Sequence, residues 1–323
     1  MSLIDDTREL QDILDGLDIE ELSADEAEAL LERLRTVVRQ HDHRYYVKDD
    51  PLITDAEYDR LYRGLQELEK AFPQLKTSDS PTQRVGGEPI DEFEKHEHPE
   101  PLLSLSNAFN EEELSEWYER CQRGLEDRFG AVEPALTAEL KIDGVAMALT
   151  YQNGQLKVAA TRGNGTVGEN VTHNIRTVQR IPLRIPVGGE DERPAPDHIE
   201  VRGEVFMRKS EFEALNDRLR GEGKAAFANP RNATAGTLRQ LDPSVVAKRP
   251  MSFFAFAIGP LSNGTPETHS DELDLLEGLG LPLEEHTKHF DGFDGVAEFC
   301  EYWVEHRDGL GVRLGCRLPR HRL

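Results

Sequence analysis

The sequence has little sulfur, little lysine and no long apolar run, and each shortage removes a class of answers. Its three cysteines, Cys121, Cys300 and Cys316, lie far apart. Neither a disulfide framework nor a Cys-x-x-Cys zinc site can be drawn from them, so no zinc site is expected in this chain and the thiols are expected to be reduced. No stretch approaches the roughly 18 consecutive apolar residues of a membrane span, and the first ten residues hold neither the basic start nor the apolar core of a signal peptide. The expectation is a cytoplasmic monomer with no membrane partner. Low-complexity tracts are also missing, and apolar periodicity recurs throughout, so 323 residues at 37% hydrophobic suffice for two folded domains. Lysine is scarce, 10 against 28 arginines among the 38 basic residues, while 62 acidic residues set a formal net charge of -24. That balance is awkward for a protein that handles DNA, since phosphate contacts need local Lys and Arg. It suits either an ordinary acidic surface or one adapted to concentrated salt, where the Debye length falls to about 3 Å and self-repulsion is screened.

What is present divides the chain in two. Ser23-Ala24-Asp25-Glu26 has the spacing of a capping box, and Leu30, Leu34, Val37 and Val38 then mark one face of a helix running toward His41. His41 and His43 read as exposed positions of that helix. After Asp49-Asp50-Pro51 the signature repeats in Thr54-Asp55-Ala56-Glu57, with Tyr58, Leu61, Leu65, Leu68 and Phe72 as the apolar stripe and Pro73 as the stop. Residues 1–86 therefore read as a small helical domain with the start of a linker, and Thr77 to Pro101, rich in Ser, Pro, Gly and charge, as a linker over the surface. Beyond it, Val145 to Tyr151 and Gln155 to Thr161 are strand-like and joined through Asn153-Gly154, a pair favoured in tight hairpins. Glu200 to Met207 and Met251 to Ile258 are further strands, and Ser210-Glu211-Phe212-Glu213 has the form of a cap for a helix to about Arg220. Helices interleaved with mostly antiparallel strands predict an α+β domain over 87–310.

Lys141 lies two residues before Asp143-Gly144, directly ahead of a strand. Alone, Lys-x-Asp-Gly is weak: ordinary residue frequencies produce one by chance in about one of every 15 chains this long. A solvated turn lysine is the ordinary alternative. A nucleophilic lysine needs desolvation or nearby cations, and a phosphoryl target needs its charge neutralised. Companions for that work follow in Thr161-Arg162-Gly163, Glu200-Val201-Arg202-Gly203-Glu204 and Asn229-Pro230-Arg231-Asn232.

In this order and spacing, these motifs resemble the covalent nucleotidyltransferases: DNA ligases, RNA ligases and capping enzymes. The stretch Ala228 to Ala233, continuing to Gly236 and Leu238-Arg239-Gln240-Leu241-Asp242, looks like the bacterial type of NAD-dependent DNA ligase. Tyr45-Tyr46-Val47, Asp55-Ala56-Glu57-Tyr58-Asp59 and Ser80 to Gly86 resemble the N-terminal domain carried by NAD-dependent ligases, which holds the nicotinamide mononucleotide half of NAD. The residues agree with that role. Asp55, Tyr58 and Asp59 share a helix face, where two like charges repel and a cationic nicotinamide ring would relieve them. The alternative reading makes Asp55 and Asp59 partners of the helix dipole and Tyr58 a core residue.

The resemblance implies that Lys141 attacks the α-phosphate of NAD, with Asp143 beside it, and forms lysyl-AMP as the first step of sealing nicked double-stranded DNA in replication and repair. It implies that Glu139 and Arg162 contact adenine and ribose, that Ser104 and Leu105 shape the nucleotide pocket, and that Glu204 holds ribose or a Mg²⁺ site, with Mn²⁺ as a substitute. Tyr45, Asp55, Ala56, Glu57, Tyr58 and Asp59 would bind the nicotinamide half, and Arg231 and Arg239 the DNA backbone or a 5′-phosphate. Zn²⁺ belongs to a C-terminal part of the family that this sequence does not carry. Past Arg307 the family continues into a strand containing Asp-Gly-Val-Val and two lysines. Here Gly311 to Arg320 differs and is abruptly basic, so residues 311–323 are expected to form an aberrant tail. Two further functions compete: an ATP-dependent polynucleotide ligase, disfavoured by the Asp55 and Tyr58 motif, and an inactive remnant that holds nucleotide or DNA without turnover.

Overall fold

The computed structural model describes residues 2–84, 91–103, 106–187 and 194–315. Its N-terminal region is helical: α1 (Leu3–Gly16), α2 (Ala24–Tyr46) and α3 (Asp55–Ala71). Both anticipated capping boxes form, with Ser23 and Glu26 closing the start of α2 and Thr54 and Glu57 that of α3. Leu10, Leu31, Leu34, Val38, Leu61, Leu65 and Leu68 are fully buried between the three helices, each stabilising the fold by about 1.5–3 kcal/mol. Inside this layer lies an ion pair: Arg35 donates twice to Oε1 of Glu69, at 3.0 and 2.9 Å, and Thr82 donates to Oε2. Helix α1 explains a correction. His41 and His43 are not exposed; α1 covers His41, whose Nε2 lies 2.8 Å from the Thr7 hydroxyl, and burial holds both imidazoles down to about 4.

The second region begins with β1 (Lys95–Glu97), a strand inside the stretch anticipated as linker, and α4 (Glu111–Phe129). Then come β2 (Leu136–Ala138), the hairpin β3 (Val145–Gln152) and β4 (Gln155–Thr161), β5 (Val167–Glu169), α5 (Thr172–Ile175) and β6 (His198–Phe206). Helices α6 (Lys209–Gly221), α7 (Pro230–Leu238) and α8 (Pro243–Ala247) precede β7 (Ser252–Leu261), α9 (His269–Gly278), β8 (Lys288–Phe290) and α10 (Val296–His306). Among the described residues the main sheet is antiparallel in the order β4-β3-β6-β7, with β1-β5 and β2-β8 as small two-stranded sheets. The α+β expectation holds. The hairpin turns on Asn153 and Gly154 at φ 48 and 76, the positive pair that a two-residue connection requires. Met147, Leu149, Val201, Val205 and Phe253 line the buried face of the sheet. The anticipated cap at Ser210 does not form. Helix α6 starts two residues earlier, with Arg208 in the cap position and no side-chain cap; the Lys209 N–H donates to the Gly311 carbonyl instead, and the Lys209 ammonium anchors the same segment at the carbonyls of Asp308 and Leu310.

Arginines join the two regions. Nη1 of Arg84 reaches the carbonyls of Val178 and Ile181 at 3.2 and 3.1 Å, Arg180 donates to the Tyr46 carbonyl at 2.7 Å, and Arg184 pairs with Asp79 at 3.1 Å.

Candidate active site

The lysine segment is short and extended, and its alternation decides what it presents. Leu140 and Ile142 are buried with Phe206 and Phe299, against Trp303, Val312 and Leu314. In an extended chain successive side chains face opposite ways, so Glu139, Lys141 and Asp143 share the other side. The segment is held from both flanks. On one, Ile142 bridges Leu314, with Asp143 N–H donating to the Arg313 carbonyl at 2.8 Å and Gly315 N–H to the Lys141 carbonyl at 2.7 Å. On the other, Gly144 passes so close to β6 that a Cβ would stand 2.1 Å from the Val205 carbonyl. That contact admits only glycine and lets its N–H donate to Glu204 Oε1 at 3.0 Å.

Opposite charges converge here. Asp143 pairs with Arg231 at 3.3 Å and with Arg313 at 3.0 Å. Burial raises the Glu204 carboxyl to about 7, while Lys141, the Gly144 N–H and Arg231 act to lower it. Glu139 meets His269, the first residue of α9: Nε2 lies 2.8 Å from Glu139 Oε2, and Nδ1 lies 3.1 Å from Glu272. Those bonds raise the imidazole to about 9 despite partial burial. Lys141 is exposed and lines a cleft of about 580 Å³ with Glu139, Asn107, Trp117, Trp303 and Arg307.

Other anticipated residues are more dispersed. Arg162 donates to the Leu102 carbonyl at 3.1 Å, which ties the end of β4 to the segment before Ser104 and Leu105; those two lie outside the described residues. Arg239 forms a two-pronged pair with Glu169 at 3.1 and 3.0 Å. In the helical region Asp55, Ala56, Glu57 and Asp59 are exposed at the start of α3, and Glu57 is engaged in the capping box. Tyr58 is half-buried, stacks on Tyr62 with centroids 6.0 Å apart, and donates its hydroxyl to Asp42 at 2.6 Å. Tyr45 is exposed and packs edge-on to Tyr46 at 4.9 Å. Among the described residues no hydrogen bond or ion pair joins this helical face to Lys141.

Known proteins settle the family. Residues 90–315 match the NAD-dependent DNA ligase adenylation domain, and residues 24–86 match the DNA ligase-like, N-terminal NAD⁺-binding domain. The chain belongs to the NAD-dependent DNA ligase adenylation-domain family. It is 48% identical to a DNA ligase of Chloroflexus aggregans over 87% of this chain and 41% of that protein. It is 44% identical to a DNA ligase of Herpetosiphon aurantiacus over 87% of this chain and 41% of that one. The chain thus spans about two fifths of the length of these relatives. The adenylation-domain match runs through Gly315, past the Gly311 boundary anticipated for the tail, and Arg313 and Leu314 in that segment are the ones that brace the lysine.

Two residues of this cluster escape the sequence motifs. Arg313 falls in the stretch expected to be a tail. His269 belongs to none of the motifs, although Thr268 and Asp271 around it form a capping box, a signal that could have placed it on the first turn of a helix. Among the described residues no three His, Cys, Asp or Glu side chains cluster to hold a metal. An all-protein cage is therefore missing there, but the oxygen donor of Glu204 fits Mg²⁺, an ion that commonly uses one or two carboxylates plus substrate phosphates and waters. No helix of the described residues is long and apolar enough to cross a membrane.

Proposed function

We propose that this chain adenylates itself from NAD, the first step by which a whole ligase of this kind seals nicks bearing 5′-phosphate and 3′-hydroxyl ends. The observation that supports it most is the extended Glu139–Asp143 segment. It aims Lys141 into a cleft beside Glu139, while Asp143 and Glu204 sit among Arg231 and Arg313. The neutral Lys141 amine attacks the α-phosphorus of NAD. A nitrogen–phosphorus bond forms, the bond to the bridging pyrophosphate oxygen breaks, and its electron pair leaves with nicotinamide mononucleotide. The proton from the amine passes to solvent, leaving AMP on Lys141.

Catalysis of this kind is mostly positioning and charge stabilisation. Glu139 and Arg162 hold adenine and ribose; Arg231 and Arg239 take phosphate, for which a planar guanidinium fork is suited. To do so each arginine exchanges its present partner, Asp143 or Glu169, for a phosphate oxygen. Glu204 would hold Mg²⁺, which when bound supplies positive charge to the phosphate oxygens; Mn²⁺ would serve similarly. Tyr45, Asp55, Tyr58 and Asp59 receive the nicotinamide half. Nicked double-stranded DNA is the partner of the whole ligase.

The test is incubation of the purified chain with Mg²⁺ and either NAD or ATP, followed by intact mass. The expected result is one AMP on Lys141 from NAD and none from ATP. Label from ATP alone overturns the NAD reading; NAD binding without label supports the remnant instead.

A further inference from the structure

The Glu139–His269–Glu272 cluster holds more order than the adenylation step by itself requires. His269 has a carboxylate on each ring nitrogen, Glu139 Oε2 at 2.8 Å and Glu272 Oε2 at 3.1 Å. A neutral imidazole carries one N–H and would leave its lone pair facing the second carboxylate; only the imidazolium donates to both. The charged groups that face it come from the two elements around it, Glu139 after β2 and Glu272 on α9. The next residue, Ser270, is bound to His289 of β8 at 2.8 Å, which fixes the first turn of α9 against the β2-β8 sheet. Glu139 therefore has one oxygen committed. Among the described residues its other oxygen, Oε1, has no hydrogen-bond partner, and the side chain lines the same cleft as Lys141.

We infer that His269 is a positioning residue for the base: by holding Oε2 of Glu139 it directs Oε1 at the 6-amino group of a purine and so sets a preference for adenine over 6-oxo purines. This rests on the adenylation reading above. The chemistry is direct. A fixed, ionised carboxylate accepts from an amino group but repels the carbonyl oxygen that hypoxanthine carries at the same position, and a site built for one hydrogen-bonding pattern rejects the other strongly. Without His269 the carboxylate keeps its charge but loses its direction, so the loss falls on binding and selectivity rather than on attack by Lys141.

The experiment compares NAD with nicotinamide hypoxanthine dinucleotide as AMP or IMP donors, reading the covalent product by intact mass and rate. His269→Ala is expected to raise KM for NAD by about tenfold, with kcat changed by less than about twofold, and to shrink the preference for NAD by a similar factor. His269→Gln, whose amide N–H can still donate to Glu139, is expected to restore most of it. It also keeps the test decisive if the alanine variant fails to fold. Glu272→Gln removes one stabiliser of the imidazolium. With wild type, KM is expected to rise as pH climbs through about 9, where the raised His269 loses its proton; in Glu272→Gln that rise moves to lower pH. A His269→Ala variant that discriminates as wild type does overturns the role of His269 while leaving self-adenylation standing. A wild type that takes label from neither dinucleotide overturns both.

Discussion

The lysine cleft and the helical face make an instructive pair. Around Lys141 the charged groups already have partners: Asp143 holds Arg231 and Arg313, and Glu139 holds His269. At the start of α3, by contrast, Asp55 and Asp59 stand exposed, without an ion pair among the described residues. The difference teaches how each region would meet a ligand. A phosphate entering the cleft must displace a carboxylate from an arginine, so its binding is an exchange of ion pairs. A cation meeting α3 finds uncommitted negative charge, screened by water and worth little per contact.

The largest expected effect is on the cleft side. Lys141→Arg keeps the charge but replaces the amine with a guanidinium that stays protonated; covalent AMP from NAD should fall below detection by intact mass, with the thermal melt unchanged. Residual label would break the contrast by moving the nucleophile elsewhere. Next comes the stability of the helical region. Glu69→Ala leaves buried Arg35 without its close carboxylate, with only the Leu75 carbonyl at 2.7 Å and the exposed Glu32 at 3.9 Å remaining, at a cost of about 3 kcal/mol, to be read as a lost or lowered melting transition. A variant as stable as wild type would remove the ion pair from the account of this region.

A third outcome concerns pH. His41 is neutral in the fold and held down to about 4 against an ordinary 6.5. Its stabilising contribution is present above about 6.5 and is lost as pH falls toward 4, because the unfolded chain takes up a proton that the fold refuses. Melting at pH 4.5 should therefore come at a lower temperature than at pH 7, with His41 contributing about 3 kcal/mol at most. His41→Gln should flatten that dependence. The smallest effect is expected at the exposed face: Asp55→Asn should raise KM for NAD about threefold, in line with a solvent-screened contact of under about 1 kcal/mol. A hundredfold change would mean that this face closes over its ligand and is dry when occupied.

Much of this is legible in the chain. The capping boxes at Ser23 and Thr54 and the Asn153-Gly154 hairpin act through backbone groups three residues apart or fewer, so neighbouring residues suffice to specify them. The lysine motif and the family resemblance are likewise carried by short segments. Helix α1 is not, and with it the burial of His41, since what covers a helix face is decided by a segment distant in sequence. The start of α6 is misplaced by its local signal because the N–H of its first residue, Lys209, is satisfied by the distant Gly311 rather than by a local side chain.

The sequence by itself determined the helical character of the first region, the hairpin and the main strands, the α+β class and the lysine motif, all of which depend on local spacing. Only the tertiary structure decided which charges meet. His269 and Glu139 lie 130 residues apart, and Arg231 and Asp143 lie 88 apart. Pairing at such separations follows from how α7 and α9 pack near the lysine segment, and no local propensity encodes it. Lys141 is named by its motif; the partners that surround it are named by the fold.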